Sequence, residues 1–300
     1  MVEKNSTTGR STQTVLVLGA GGLLGAEVVR VFLDAGFHVK SATHKELDIT
    51  KGMDVAVWIE HLHPAYVVNC AALSNVDHCE THPDEAFNVN AQGVKNICLP
   101  LDENGGRLIH ISTDYVFDGQ KNEPYGESDA VHALSQYAKS KLKAEEYIQS
   151  ILPDSLTVRV QWLYHEEGAS FASQLVRGVT TQKNLGPYKL IQNRVGSPTH
   201  VQDVAQTLLQ LVQKDAKGVI HVASQGACNW VEFGKAIFEL NGIAVTSQNI
   251  QAVLEENLKR SAPRPPYSSL TSERLQREFS IEMPRWHDSL ERAILNLKKE

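Results

Sequence analysis

The sequence predicts an α/β protein, with a doubly wound parallel sheet followed by a smaller C-terminal lobe. Two observations carry this prediction. A short apolar run near the start of the chain is followed at once by a glycine-rich segment and then by an amphipathic stretch. Up to about residue 160, further apolar runs alternate with helical patterns, which is typical of strands in a parallel sheet with helices on both faces.

The first element is the run Thr14–Leu18, which reads as a buried strand. The glycine-rich segment Gly19–Gly25 follows, and Leu24–Leu33 carries apolar residues at helical spacing. Strand, glycine turn and helix in this order are typical of a Rossmann dinucleotide site, where the helix N-terminus faces the pyrophosphate. No Gly-Lys-Ser/Thr ending points to a mononucleotide loop, although a glycine turn without a nucleotide remains the alternative. The residues predicted to bind the cofactor here are Gly19, Gly21, Gly22, Leu23, Leu24 and Gly25.

Later segments continue the alternation. Strands are expected at 37–42, 66–70, 107–111 and 156–160, and helices at 53–61, 83–98 and from Tyr137 to about Ser150. From this pattern we expect a disordered tail at 1–13 and a dinucleotide-binding Rossmann domain at 14–160. Part of 195–222 is expected to complete that domain, and 161–194 with 223–300 are expected to form the substrate-binding lobe.

Composition restricts the partners. The formal net charge is −6, and no Lys/Arg-rich block stands out, so neither nucleic acid nor a membrane surface is expected as a partner. The four cysteines show no zinc-ligand spacing and are expected to be free thiols in a reducing cytoplasm.

Candidate site residues come directly after the predicted strands, where ligands of open parallel sheets bind. They include Cys70, Ala71, Ala72 and the segment Ser112–Asp114. Tyr137 and Lys141 are four residues apart and share one helix face, so a phenol and an ammonium can meet the same ligand. We expect the ammonium to lower the phenol's pKa, which would prepare Tyr137 for proton transfer.

Together these residues resemble the extended short-chain dehydrogenase/reductase superfamily and, within it, the dTDP-4-dehydrorhamnose reductase family. The resemblance runs from Val15 to about Leu290. Its superfamily-level motifs are the glycine segment and the Tyr137/Lys141 pair, and its more specific blocks are Ser112–Gly119, Gly196–Thr199 and Arg264–Leu270.

The resemblance implies an NAD(P)H-dependent reduction of the C4 keto group of dTDP-4-dehydrorhamnose to dTDP-L-rhamnose. Tyr137 would protonate the carbonyl oxygen, Lys141 would hold the nicotinamide ribose, and Thr113 would hydrogen-bond the carbonyl. Further cofactor contacts are implied for Lys45, Asp48, Ile49, Cys70, Ala71, Ala72, Asn90 and Ser112. Substrate contacts are implied for Ser74, Val76, Asp114, Tyr115, Phe117, Trp162 and Arg264.

NADPH is the expected cofactor, with NADH use left open. The segment after the second predicted strand has no carboxylate until Glu46, and Lys45 could accept a 2′-phosphate. Asp48 either lies near the adenine or starts a helix. Arg264 either binds a diphosphate or pairs with a carboxylate. Trp230 is expected to pack in the core.

The sequence departs from the family pattern mainly in the substrate half, at Gln161, His165, Asn193, Arg194 and Tyr267. The chemistry is therefore better defined than the sugar. The alternatives are a reductase of another nucleotide-linked 4-ketosugar, or a non-catalytic NADP-binding regulatory subunit similar to that of methionine adenosyltransferase. No metal is expected, and both monomer and homodimer remain open.

Overall fold

The computed structural model describes residues 13–299, so the predicted tail, apart from Gln13, lies outside the described residues. The strands are β1 Thr14–Leu18, β2 His38–Ala42, β3 Tyr66–Asn69, β4 Arg107–Thr113, β5 Leu156–Val160, β6 Leu163–Tyr164, β7 Tyr188–Ile191, β8 Val195–Gly196, β9 Thr199–His200, β10 Gly218–His221, β11 Cys228–Asn229 and β12 Ile250–Val253. The helices are α1 Leu23–Asp34, α2 Gly52–Leu62, α3 Val76–Thr81, α4 Pro83–Phe87, α5 Gly93–Asn104, α6 Gln136–Ile151, α7 Phe171–Thr180, α8 Val201–Gln213, α9 Trp230–Leu240, α10 Glu273–Phe279 and α11 Trp286–Leu297. Among these residues no helix is both long and apolar enough to cross a membrane.

The main sheet has six parallel strands in the order β10-β5-β4-β3-β1-β2. The chain first moves from β1 to β2 and then crosses back to β3 on the other side of β1. This reversal opens a crevice beyond the carboxyl ends of β1 and β3, where ligands of doubly wound sheets bind. The predicted fold class is confirmed.

The central strands are buried because both faces of the sheet are covered. Val15 and Val17 of β1 belong to one apolar cluster, and Leu16 and Leu18 belong to another. Alternate side chains of a strand point to opposite faces, so a continuous apolar run is what a strand covered on both sides requires.

Residues distant in sequence complete the sheet. Strand β10 adds the sixth strand beside β5, and helix α8 packs against α1 on the first face. The remaining short strands pair in twos, as β6 with β9, β7 with β12 and β8 with β11. Helices α7, α9 and α11 enclose a separate apolar cluster that includes Leu175 and Phe233. This separate cluster supports the predicted C-terminal lobe, whose boundaries stay a prediction.

Two predicted details differ from the structure. Leu275 of α10, together with Ile281 and Met283, packs into the sheet cluster rather than into the lobe, because the chain returns to cover β10. The single helix expected at 83–98 is divided into α4 and α5 by a π-helical turn at Asn88–Gln92, and α5 continues to Asn104.

Candidate active site

A cleft of about 1270 Å³ lies at the carboxyl ends of the central strands, between the sheet and the lobe. Most of the residues predicted for the site line it. They are Gly21, Gly22, Leu23, Leu24, Cys70, Ala72, Ser74, Val76, Ser112, Thr113, Asp114, Tyr115, Tyr137, Lys141 and Trp162. Residues more than a hundred positions apart in the chain therefore meet at one surface.

The glycine segment forms a turn that larger residues could not form. Gly19 has φ of +73°, and a Cβ there would lie 2.6 Å from the backbone nitrogen of Ala71. A Cβ at Gly25 would lie 2.2 Å from the carbonyl oxygen of Gly19. These two glycines shape the turn from behind, whereas Gly21 and Gly22 face the cleft.

Helix α1 starts at this turn without a side chain that caps its N-terminus, and its first turn carries no acidic residue. The free N–H groups and the partial positive charge of a helix N-terminus suit a phosphate group. This arrangement fits a dinucleotide cofactor.

Helix α6 positions the Tyr137 and Lys141 pair. The Ser135 hydroxyl accepts a hydrogen bond from the backbone nitrogen of Ala138 and so caps the helix. Tyr137 lies in the first turn, half-buried at the cleft wall, and its ring meets that of Tyr115 edge-on at 6.1 Å. Lys141 lies one turn further, with 2% of its surface exposed.

The expected effect of Lys141 on Tyr137 is wrong for this structure. Burial raises the pKa of the Tyr137 phenol, a hydrogen bond with Thr113 partly opposes this, and the Asp114 charge adds to it. The Lys141 amine instead donates to the carbonyl oxygen of Ile111 at 2.6 Å and lies 3.0 Å from Nε2 of His110. Without an ammonium facing the phenol, Tyr137 is a neutral, protonated group.

Polar side chains at the end of β4 are fixed by buried partners. The Ser112 hydroxyl donates to Glu145, whose carboxylate forms an ion pair of 2.7 Å with Arg159. Asp114 accepts hydrogen bonds from Ser268 at 2.5 Å and from Thr113 at 3.1 Å. Burial raises the pKa of Asp114 to about 6, against these hydrogen bonds. The donors that hold Asp114 thus come from both halves of the molecule.

Arg264 is not the free cation that the substrate prediction required. Its guanidinium makes two hydrogen bonds to Asp77, of 3.1 and 2.8 Å, and it does not line the cleft. The ion pair holds the pKa of Asp77 at about 2, below its ordinary value. The open alternative, pairing with a carboxylate, is the one observed.

Two other arginines, Arg194 and Arg260, line the cleft instead. They share the carboxylate of Glu255, at 3.5 Å and 3.3 Å. Arg194 is 4% exposed and donates to the Tyr115 hydroxyl, yet within residues 13–299 its Nε has no hydrogen-bond partner. One carboxylate for two guanidinium groups leaves this end of the cleft with an excess of positive charge.

Several predicted residues lie outside the cleft lining. Phe117 is fully buried and stacks on Tyr125, so it supports the site from an apolar cluster rather than touching a substrate. Asn90 is fully buried and holds the backbone of Leu73 and the Ser140 hydroxyl.

Four more predicted residues lie near the rim or behind it. Asp48 accepts hydrogen bonds from the backbone nitrogen and hydroxyl of Thr50 in the turn that precedes α2, but Lys51 is the N-cap of that helix, so Asp48 does not start it. Ile49 is buried in the second sheet cluster, Ala71 lies against the back of the glycine turn, and Lys45 is exposed. None of these residues lines the cleft.

Sequence reasoning named Trp162 as a substrate contact but missed Trp230, with which it forms an aromatic wall. Trp162 and Trp230 stack with ring centroids 4.1 Å apart, and both line the cleft, so Trp230 does more than pack in the core. Trp162 has φ of +42°, and within residues 13–299 its indole nitrogen is buried without a hydrogen-bond partner. Departure from the family pattern was a partial signal, because Gln161, His165 and Arg194 line the cleft whereas Asn193 and Tyr267 do not. No sequence signal marked Trp230 or Arg260 as cleft residues.

His165, Glu166 and His200 place ligand-type atoms within 4.8 Å of one another. Nδ1 of His200 accepts from the backbone nitrogen of Gln202, so its Nε2 carries the proton and donates to Glu166 at 2.6 Å. The second Glu166 oxygen accepts from Asn296. These atoms form a satisfied buried pair, and the expectation of no metal stays a prediction.

The sequence matches the RmlD substrate binding domain family over residues 13–299. It is 36% identical to the spore coat polysaccharide biosynthesis protein SpsK of Bacillus subtilis, over 92% of this chain and 95% of that protein. It is 30% identical to a dTDP-4-dehydrorhamnose reductase of Aggregatibacter actinomycetemcomitans, over 95% of this chain and 98% of that one.

Solved structures give the same result. A dTDP-4-dehydrorhamnose reductase of Clostridium acetobutylicum superposes with a TM-score of 0.88 at 32% identity, covering 95% of this chain and all of that one. The Bacillus anthracis enzyme of the same name, solved in complex with NADP, has a TM-score of 0.89 at 29% identity with the same coverage. Sequence and fold agree over nearly the whole length, and the chain belongs to the RmlD substrate binding domain family.

Proposed function

We propose that this protein is an NAD(P)H-dependent reductase of a nucleotide-linked 4-keto-6-deoxyhexose, and that it converts dTDP-4-dehydrorhamnose to dTDP-L-rhamnose. The observation that carries the proposal is the meeting of Tyr137, Thr113 and Lys141 in one cleft, beside an uncapped helix N-terminus. Family relatives with the same overall fold are dTDP-4-dehydrorhamnose reductases.

NADPH is the proposed cofactor, and it would supply the hydride. The turn at Gly21 and Gly22, with the N-terminus of α1, would hold its pyrophosphate. Lys45 is exposed shortly after β2 and would attract a 2′-phosphate. The NADP complex of the Bacillus anthracis relative supports this choice.

Tyr137 would act as the general acid. Its raised pKa keeps the phenol protonated at neutral pH, so a proton is present to move to the carbonyl oxygen as negative charge develops there. The Thr113 hydroxyl, which donates to Asp114 in this structure, would turn its proton to the same oxygen and stabilise that charge. The remaining rate enhancement would come from holding sugar and cofactor in contact.

The substrate's diphosphate would lie against Arg194 and Arg260. Guanidinium groups bind phosphate oxygens through paired N–H donors, and Arg194 has a buried Nε that is not used within residues 13–299. The Tyr115 hydroxyl accepts a hydrogen bond from Arg194, and the Tyr115 ring contacts the ring of Tyr137 edge-on. This subsite therefore lies next to the proposed general acid. Trp162 and Trp230 would form an apolar wall for the sugar or the base.

A second candidate is a reductase of another nucleotide-linked 4-ketosugar. Gln161 and Arg194 depart from the family pattern, line the cleft and each have a buried nitrogen with no partner among residues 13–299. Unused donors at the substrate end of the cleft favour a sugar or nucleotide with additional acceptors.

The cysteines of the described chain are free, which supports the proposed reducing cytoplasm.

The test is NADPH oxidation by the purified protein with dTDP-4-dehydrorhamnose, made in situ from dTDP-glucose by the upstream enzymes. Fast oxidation that yields dTDP-L-rhamnose, and that is lost in Tyr137→Phe, is the expected result. Oxidation with a different ketosugar alone would favour the second candidate. NADPH binding without turnover on any 4-ketosugar would overturn the enzyme assignment and favour a regulatory NADP-binding subunit.

A further inference from the structure

Lys141 is held in the described structure by groups that the proposed mechanism does not use. Its Nζ contacts the carbonyl oxygen of Ile111 at 2.6 Å and Nε2 of His110 at 3.0 Å. His110 is fully buried in β4, beneath the cleft floor. The protonation of Lys141 therefore depends on which nitrogen of His110 carries a proton.

A chain of hydrogen bonds decides that question. The backbone N–H of Ala71 donates to the side-chain oxygen of Asn69 at 3.1 Å, which fixes the orientation of the Asn69 amide. The amide nitrogen of Asn69 then faces Nδ1 of His110 at 3.2 Å. An amide NH₂ can only donate, so Nδ1 must accept and the proton of the neutral ring must be on Nε2.

The Nε2–H of His110 consequently points at Nζ of Lys141. An ammonium has no lone pair and would place donor against donor, whereas a neutral amine accepts from His110 and still donates to Ile111. If the ring proton moved to Nδ1 instead, it would oppose the Asn69 amide. The whole chain of partners is satisfied only when Lys141 is uncharged.

We propose that Asn69 and His110 hold Lys141 as a neutral amine in the cofactor-free protein at mildly alkaline pH, so that cofactor binding under these conditions draws up to one proton from solvent onto Nζ. The ammonium that forms would turn away from the His110 N–H, toward acceptors supplied in the cleft. His110 is thereby a positioning residue that acts through Lys141.

The other groups around Lys141 agree with this. Burial lowers the pKa of Lys141 to about 8, while Glu145 on the same helix and Cys70 at the end of β3 oppose the shift. Glu145 is itself occupied by Arg159 and Ser112. Burial alone is enough to hold the pKa of His110 well below its ordinary value, so the ring does not compete for the proton.

The link to cofactor binding rests on the proposed function, whereas the state of Lys141 does not, so the two are tested separately. In the cofactor-free protein, the Cε resonance of Lys141 should titrate near pH 8, well below the ordinary lysine pKa of about 10.4. Asn69→Asp should raise this pKa by more than one unit, because a carboxylate accepts from Nδ1 and moves the Nε2 lone pair toward Lys141. His110→Gln is the matched control, since its amide still offers an N–H to Nζ.

Calorimetry of NADP⁺ binding at pH 8.5, in buffers of low and high ionisation enthalpy, measures the proton. We expect uptake of about 0.5–1 proton per NADP⁺ in the wild type and in His110→Gln, and almost none in Asn69→Asp. A Lys141 that titrates like an ordinary lysine, or an uptake unchanged by Asn69→Asp, would overturn the proposal. A titration near pH 8 without NADP⁺ binding would confirm the neutral Lys141, refute its link to the cofactor and count against the proposed function.

Discussion

The cofactor side and the substrate side of the cleft are built in different ways. On the cofactor side, the turn at Gly19–Gly25 and the start of α1 offer backbone N–H groups, and adjacent segments of the chain form the surface. On the substrate side, single side chains such as Arg194, Arg260 and Trp230 arrive from separate elements. On the proposed assignment, one side would recognise its ligand through local backbone shape, and the other through tertiary placement of side chains.

This difference determines what the sequence could predict. A glycine turn between a strand and a helix is a local pattern, and Gly21, Gly22 and Tyr137 were found from it or from spacing. The choice between Arg264 and Arg194 depends on which arginine meets Asp77, and Asp77 lies 187 residues before Arg264. No local pattern carries that information. For the same reason the sequence did not indicate that Leu275 of α10 packs into the sheet cluster, although the range 223–300 was expected to form the lobe.

The largest effect is expected at the point where both sides meet. Tyr137→Phe removes the proposed proton donor while keeping the ring, so kcat should fall by about 10²–10⁴-fold. NADP⁺ affinity should change less than about threefold, because the phenol is not the main anchor for the dinucleotide. Steady-state kinetics and a binding titration check both. Turnover like that of the wild type would show that Tyr137 is not the general acid.

On the cofactor side, we expect affinity to be lost when the backbone of the glycine turn is displaced. Gly25→Ala places a Cβ 2.2 Å from the Gly19 carbonyl oxygen, so the turn must move. We expect NADP⁺ affinity to fall about 100-fold or more, with about 1–3 kcal/mol lost from the free energy of unfolding. Gly21→Ala is the control for stability, because its Cβ meets only the Thr43 side chain, at 3.4 Å. Equal loss of stability in both variants would contradict a turn specified by Gly25.

On the substrate side, we expect binding to weaken when the single charge of Arg194 is removed. Arg194→Gln should raise the KM for the nucleotide sugar and the Kd for dTDP, measured with NADP⁺ saturating, by about 30- to 100-fold, since a buried charge-assisted contact is lost. Affinity for NADP⁺ should stay the same, because Arg194 bonds to Tyr115 and Glu255 and not to the glycine turn. Arg277→Gln, an exposed arginine on α10, is the control. An unchanged Kd for dTDP would show that Arg194 does not bind the diphosphate.

The smallest effect should come from the aromatic wall. Trp230→Leu keeps an apolar side chain but removes the stack on Trp162, which is worth about 0.5–1.5 kcal/mol, so KM should rise about two- to tenfold. Trp58→Leu, at the second sheet cluster, should leave KM unchanged. If both variants alter KM equally, the effect is one of stability and not of contact with the sugar.

The path of the chain between the two cores has a mechanical consequence. Within residues 13–299 it leaves the sheet after β5, returns with α8, leaves again after β10, returns with α10 and leaves a last time into α11. Because the chain passes several times between the two cores, each core contains segments from before and after any single connection. Cutting the backbone at one connection should therefore leave the two fragments associated. Opening the cleft would also require several connections to bend at once. We therefore expect the sheet and the lobe to move little relative to each other, and not to open about a single hinge.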